Sequence, residues 1–96
     1  MKTFTELHTE IGTLIDDMPT EFNTHDFIKK FAQAHQRAYI EALYDYKDNA
    51  HPFNALHQQI GKMLKQAFSE KLTHIRDSNS PDIFGNEGQC AVWRQR

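Results

Sequence analysis

The sequence predicts a mainly helical α+β fold: three amphipathic helices around one core, followed by a small C-terminal β-hairpin. Two patterns carry this expectation. Apolar residues recur every three or four positions as far as Phe68. From Leu72 onward that spacing gives way to two short β-prone stretches around a loop rich in Asp, Asn, Ser, Pro and Gly. Length supplies the third constraint, because 96 residues suffice for one hydrophobic core and a single domain spanning 1–96, but not for two.

Helix one is expected over about 4–18, where Phe4, Leu7, Ile11, Leu14, Ile15 and Met18 form one narrow stripe. Thr3 and Glu6 fit a capping box, in which hydroxyl and carboxylate each satisfy one of the helix's first free amides. Pro19 supplies the stop. Glu21, Phe22 and Asn23 then read as a short extended link.

Helix two is expected over about 24–44, capped by Asn23 or Thr24 and carrying Asp26 in its first turn. Phe27, Ile28, Phe31, Ala34, Ala38, Tyr39, Ala42 and Leu43 make its apolar face. The polar run from Asp45 to His51 ends it. Helix three is expected over about 52–68, with Pro52 at the first position, where its missing N–H costs nothing. Phe53, Leu56, Ile60, Met63, Leu64, Ala67 and Phe68 repeat along its inner arc, and Gly61 suggests close packing or a close backbone approach. The strands are expected at about 72–76 and 89–94, with Trp93 and Ala91 facing the helices, and Cys90 and Val92 facing away.

Composition narrows the function classes. The fractions of apolar (39%) and charged (25%) residues are those of a globular protein. No apolar run reaches the roughly 18 residues of a membrane span, and the first dozen residues lack the apolar core of a signal peptide, so the expected compartment is the cytoplasm. A lone cysteine, Cys90, forms no internal disulfide, and it reads as a structural strand residue rather than a nucleophile.

Six histidines raise the question of a metal site. They stand at positions 8, 25, 35, 51, 57 and 74, with no pair spaced three or four apart on a helix, so no metal ligand set is expected. His35 and His57 fall within apolar arcs and read as partly buried histidines satisfied by hydrogen bonds. Asp77, Asn79 and Asp82 resemble the start of a calcium loop, but Pro81 occupies the third ligand position and Gly88 replaces the closing glutamate. Asp16 and Asp17 are adjacent on a helix and diverge. With no phosphate loop or nucleophile elbow, neither catalysis nor a cofactor is expected, and no small-molecule substrate is evident.

The charge is uneven. The net charge of −2 divides into −4 over residues 1–56 and +2 over residues 57–96, and no carboxylate lies between Asp48 and Glu70. Along that acid-free stretch, Asn54, Gln58, Gln59, Lys62, Lys65 and Gln66 occupy the outer arc of helix three. Long amides make bidentate contacts to adenine and ammonium groups reach phosphates or guanine, which is the chemistry of a helix in the major groove.

The order helix, extended link, helix, turn, helix and hairpin, from Phe4 to Arg94, resembles the winged helix-turn-helix superfamily. The resemblance implies that helix three enters the major groove while the hairpin, or wing, touches flanking backbone. It therefore implies duplex DNA binding and transcription regulation, with Asn54, Gln58, Gln59, Lys62 and Lys65 as base or phosphate readers. Arg76 and Arg94 would be wing cations, with His74 beside them. The wing tip itself is acidic, with Asp77, Asp82 and Glu87. A second expectation is a protein-interaction or homodimerisation surface, because Ile40 and Tyr44 lie one turn apart on the polar side of helix two.

Overall fold

A computed structural model of the chain describes residues 4–96, and side chains from Leu7 on. The proposed Thr3/Glu6 capping box and the Phe4 side chain lie outside the described residues. Among the described residues the fold is α+β, with four helices and one three-stranded antiparallel sheet.

Helix α1 (Phe4–Asp17) buries Leu7, Ile11, Leu14 and Ile15, the stripe expected of it, with Met18 half-buried at its end. Strand β1 (Glu21–Asn23) follows Pro19. This segment, read from sequence as a link, is a third strand: it pairs antiparallel with the last strand, placing Phe22 opposite Trp93. Three residues are too few to show an alternating pattern, and the partner lies some seventy positions away in the chain.

The expected second helix is two helices. Helix α2 (Thr24–Ala34) is capped by the Asn23 side chain, which accepts from the Asp26 amide at 2.7 Å. At His35 the backbone leaves helical geometry, with φ −123° and ψ 55°, before helix α3 (Gln36–Tyr44) begins. The amides of His35 and Tyr39 still bond to Phe31 O and His35 O, so hydrogen bonding runs through the bend. The bend turns Ala34 out to solvent, while Ala38, Tyr39 and Ala42 of α3 remain buried and α3 packs on α1 and the next helix. Apolar spacing alone does not reveal the bend, because it contains neither proline nor glycine.

Helix α4 (Pro52–Gln66) starts at Pro52 as expected and buries Leu56, Ile60, Met63 and Leu64. Two members of its expected inner arc, Phe53 and Ala67, are exposed instead. Phe53 meets an aromatic from the hairpin, and Ala67 lies beyond the last turn. Gly61 is not forced by packing: a Cβ there would lie 3.9 Å from Thr24 Cγ2, an ordinary contact.

The hairpin is longer than expected. Strands β2 (Leu72–Pro81) and β3 (Glu87–Gln95) pair along their whole length, leaving only residues 82–86 as the turn. The polar stretch read as a loop is paired strand: exposed Asp77, Asn79 and Pro81 alternate with half-buried Ser78 and Ser80, so its inner face carries serines and shows no apolar period. The register shifts between His74 and Arg76, making Ile75 the extra residue of a bulge. Sheet order is β1-β3-β2. Trp93 faces the helices as expected, and Val92 is buried too.

The centre of the core is Phe27, Phe31, Ile11, Leu14, Ile15, Leu56, Ile60 and Leu64, all fully enclosed. Burying each such side chain contributes about 1.5–3 kcal/mol. Phe22, Leu72 and Trp93 join the sheet to this cluster, and Ala91 and Ile83 pack against it farther along the hairpin, so the hairpin lies along the helices.

Candidate nucleic-acid interface

The base of the hairpin is fixed where β1 turns into α2. Buried Thr24 accepts from Trp93 Nε1 at 2.9 Å and donates to Ala91 O at 3.2 Å, holding the start of α2 against β3. The next residue, His25, places Nδ1 2.8 Å from Ser80 Oγ and 3.0 Å from Ser80 O on the far strand. The half-buried Cys90 has its Sγ 3.4 Å from the same hydroxyl.

The tip is built tightly. Asp82 Oδ1 accepts from the amides of Phe84 (2.9 Å) and Asn86 (3.0 Å), Asp82 N donates to Asn86 O, and Gly85 N donates to Asp82 O. Gly85 takes φ 85°, a left-handed conformation that suits glycine. The amides of Asn86 and then Phe84 hold the Asp82 carboxyl below its ordinary range, helped by the nearby His25 and His57. The Phe84 ring meets Phe53 edge to face, centroids 4.9 Å apart, so the tip folds back over the first turn of α4.

Between α4, the start of α2 and the inner side of the hairpin runs an open groove of about 610 Å³. Asn54, Gln58, Lys62 and Lys65 line it from α4, with Gly61 on its floor. All four of these polar side chains are exposed, and among the described residues neither lysine has an ion-pair partner. His74, Asp77 and Gln89 line it from the hairpin. Gln59 and Gln66, on the same helix, instead border a separate shallow depression that Lys62 shares.

Arg76 and Arg94 stand elsewhere. They reach Glu21 at 3.0 Å and 3.2 Å, and neither lines the groove. Their hydrogen bonds, Arg76 first and Arg94 next, hold the Glu21 carboxyl below its usual range. The groove therefore takes its positive charge from Lys62 and Lys65 and its negative charge from Asp77 and Asp82.

The histidines of the groove each have their own partner: His25 has Ser80, His74 has Asp77 at 2.9 Å, and His57 has the Tyr39 hydroxyl at 2.6 Å. His57 thus has the hydrogen bond expected of it, while His35 stacks on Phe31, centroids 5.4 Å apart. Among the described residues no group of His, Cys, Asp and Glu has the arrangement of a metal site. Also among them, no helix is long and apolar enough to cross a membrane.

Ile40 and Tyr44 project from α3, 63% and 64% exposed, with Lys47 Nζ 5.3 Å from the Tyr44 ring centroid. Sequence reasoning did not find Thr24, His25, Asp82, Cys90 or Trp93 as groove residues. The pairing of β1 with β3 brings them there, and the one available cue was an Asn-Thr cap directly after the short Glu21–Asn23 stretch. No family model matches this chain, and neither does any curated protein or solved structure.

Proposed function

We propose that this chain is a small non-enzymatic module of winged-helix type that binds duplex DNA through α4. Strand β2 packs against α4, so the hairpin lies beside that helix as a wing stands beside a recognition helix. The observation that carries the reading is the outer ridge of α4. Asn54, Gln58, Lys62 and Lys65 are uncovered, neither lysine forms an ion pair among the described residues, and α4 itself carries no carboxylate to oppose a phosphate.

The test is a titration of labelled random-sequence duplex at two salt concentrations, comparing the chain with K62A/K65A. Each phosphate contact contributes about 0.9 to the salt slope, so the double variant is expected to flatten it by roughly two units. Absence of binding at low salt, or an unchanged slope, removes the proposal.

The exposure of Ile40 and Tyr44 supports a second reading, a protein-interaction surface on α3. Two side chains supply far less than the roughly 800 Å² per partner of a standard interface. The patch therefore suits an anchor point for a larger partner better than a complete homodimer contact. Sedimentation across a wide concentration range should show a monomer, and a dimer would shift the assignment toward self-association.

A further inference from the structure

We propose that Phe84 is a wedge that stacks against a DNA base beside the α4 contact, an inference that rests on the DNA-binding reading above. Phe84, at the tip of the hairpin, is 58% exposed. Its neighbours do not let it swing freely. The Asp82 carboxylate gathers the amides on either side of Gly85, and Asp82 and Asn86 close the turn through a backbone bond. Phe53, itself 38% exposed, braces the ring edge to face.

The result is an apolar side chain presented on a fixed turn, with little ordering entropy left to lose when a flat surface meets it. The Asp82 carboxylate is itself committed to the turn, one oxygen accepting from the Phe84 and Asn86 amides.

Position identifies the occupant. Phe53 lies one turn before the groove residue His57, ring centroids 6.1 Å apart, so the aromatic pair stands at the end of the groove that Asn54, Gln58, Lys62 and Lys65 line from α4. Cations that hold a phosphate backbone, with an exposed aromatic at the end of their row, are the pieces with which proteins bind an unstacked base or pry open a base step. A free apolar pair beside a hydrophobic protein partner would need no row of lysines and amides alongside.

The experiment uses the full chain and two labelled probes, an intact duplex and the same duplex with one unpaired 2-aminopurine, whose unstacking is already partly paid for. The chain is expected to bind the bulged probe about fivefold or more tightly and to change the 2-aminopurine fluorescence. F84A should lose that margin and the fluorescence change while keeping the salt slope on intact duplex, and F84W should retain both. K62A/K65A should weaken binding to both probes and leave their ratio unchanged. Circular dichroism melts establish that each variant is folded. If intact duplex is bound with a normal salt slope but the probes are bound equally, or F84A keeps the margin, the wedge is wrong and the α4 reading stands. If neither probe binds at low salt, both fall together.

Discussion

The Tyr39 hydroxyl lies 2.6 Å from His57 Nε2, joining α3 to α4 at the edge of the groove. Burial pushes the phenol up to about 12, so Tyr39 keeps its proton at any ordinary pH. Burial also lowers His57 below its usual value, against the pull of Asp82 and with a small addition from His25. With both groups neutral, the phenol is the stronger acid and donates, which leaves the imidazole proton on Nδ1.

A pH dependence of stability follows. The unfolded chain takes up a proton at His57 near pH 6.5, whereas the folded chain does so only at lower pH. Below pH 6.5 the unfolded state therefore binds more protons, and stability falls as pH drops through the folded value. Thermal melts between pH 7.5 and 5 should show this loss. H57Q, which still offers Tyr39 an acceptor but does not titrate, should lose less over the same interval. Equal losses would place the acid sensitivity elsewhere.

Thr24 makes two bonds at once, accepting from Trp93 and donating to Ala91 O. T24V keeps the shape but leaves the buried indole N–H without a partner, a loss of about 1–3 kcal/mol. T24S keeps both bonds and should cost less. Urea unfolding distinguishes them; equal midpoints for the two variants would show that the hydroxyl contributes nothing.

Much of this architecture was legible because long-range spacing reports burial. The stripes of α1 and α4, Pro52 at the helix start and the inward Trp93 all follow from residue type and period. What stayed hidden depends on partners distant in sequence. The bend at His35 leaves the apolar spacing intact, and β1 is a strand only because β3 lies beside it. The candidate site divides in the same way. The lysines and amides of α4 were visible on one face of one helix, whereas the fate of Arg76 and Arg94 depends on the strand pairing that delivers Glu21 to them.

That ion-paired cluster makes a negative control. Arg76 and Arg94 already have Glu21 and lie outside the groove, so R76A/R94A should leave the salt slope of duplex binding close to that of the unmodified chain. A slope flattened as much as in K62A/K65A would mean that DNA approaches this cluster rather than the α4 ridge.

Two helical glycines should respond oppositely to alanine. Alanine is favoured over glycine inside a helix by about 0.8–1 kcal/mol, provided the methyl group finds room. At Gly61 the nearest atom to an added Cβ is Thr24 Cγ2 at 3.9 Å, so G61A should stabilise the chain by up to that amount. At Gly12 the added Cβ would come within 3.1 Å of Phe68 Cε1. Phe68 is buried, and its ring stacks on His8 with centroids 4.4 Å apart, so it has little freedom to retreat. G12A should therefore gain nothing or destabilise, because a core ring displaced from its packing costs as much as the helix gains or more. Urea midpoints of the two variants measured side by side decide the matter. A destabilised G61A would mean that α2 and α4 approach more closely at Thr24 than the 3.9 Å separation allows.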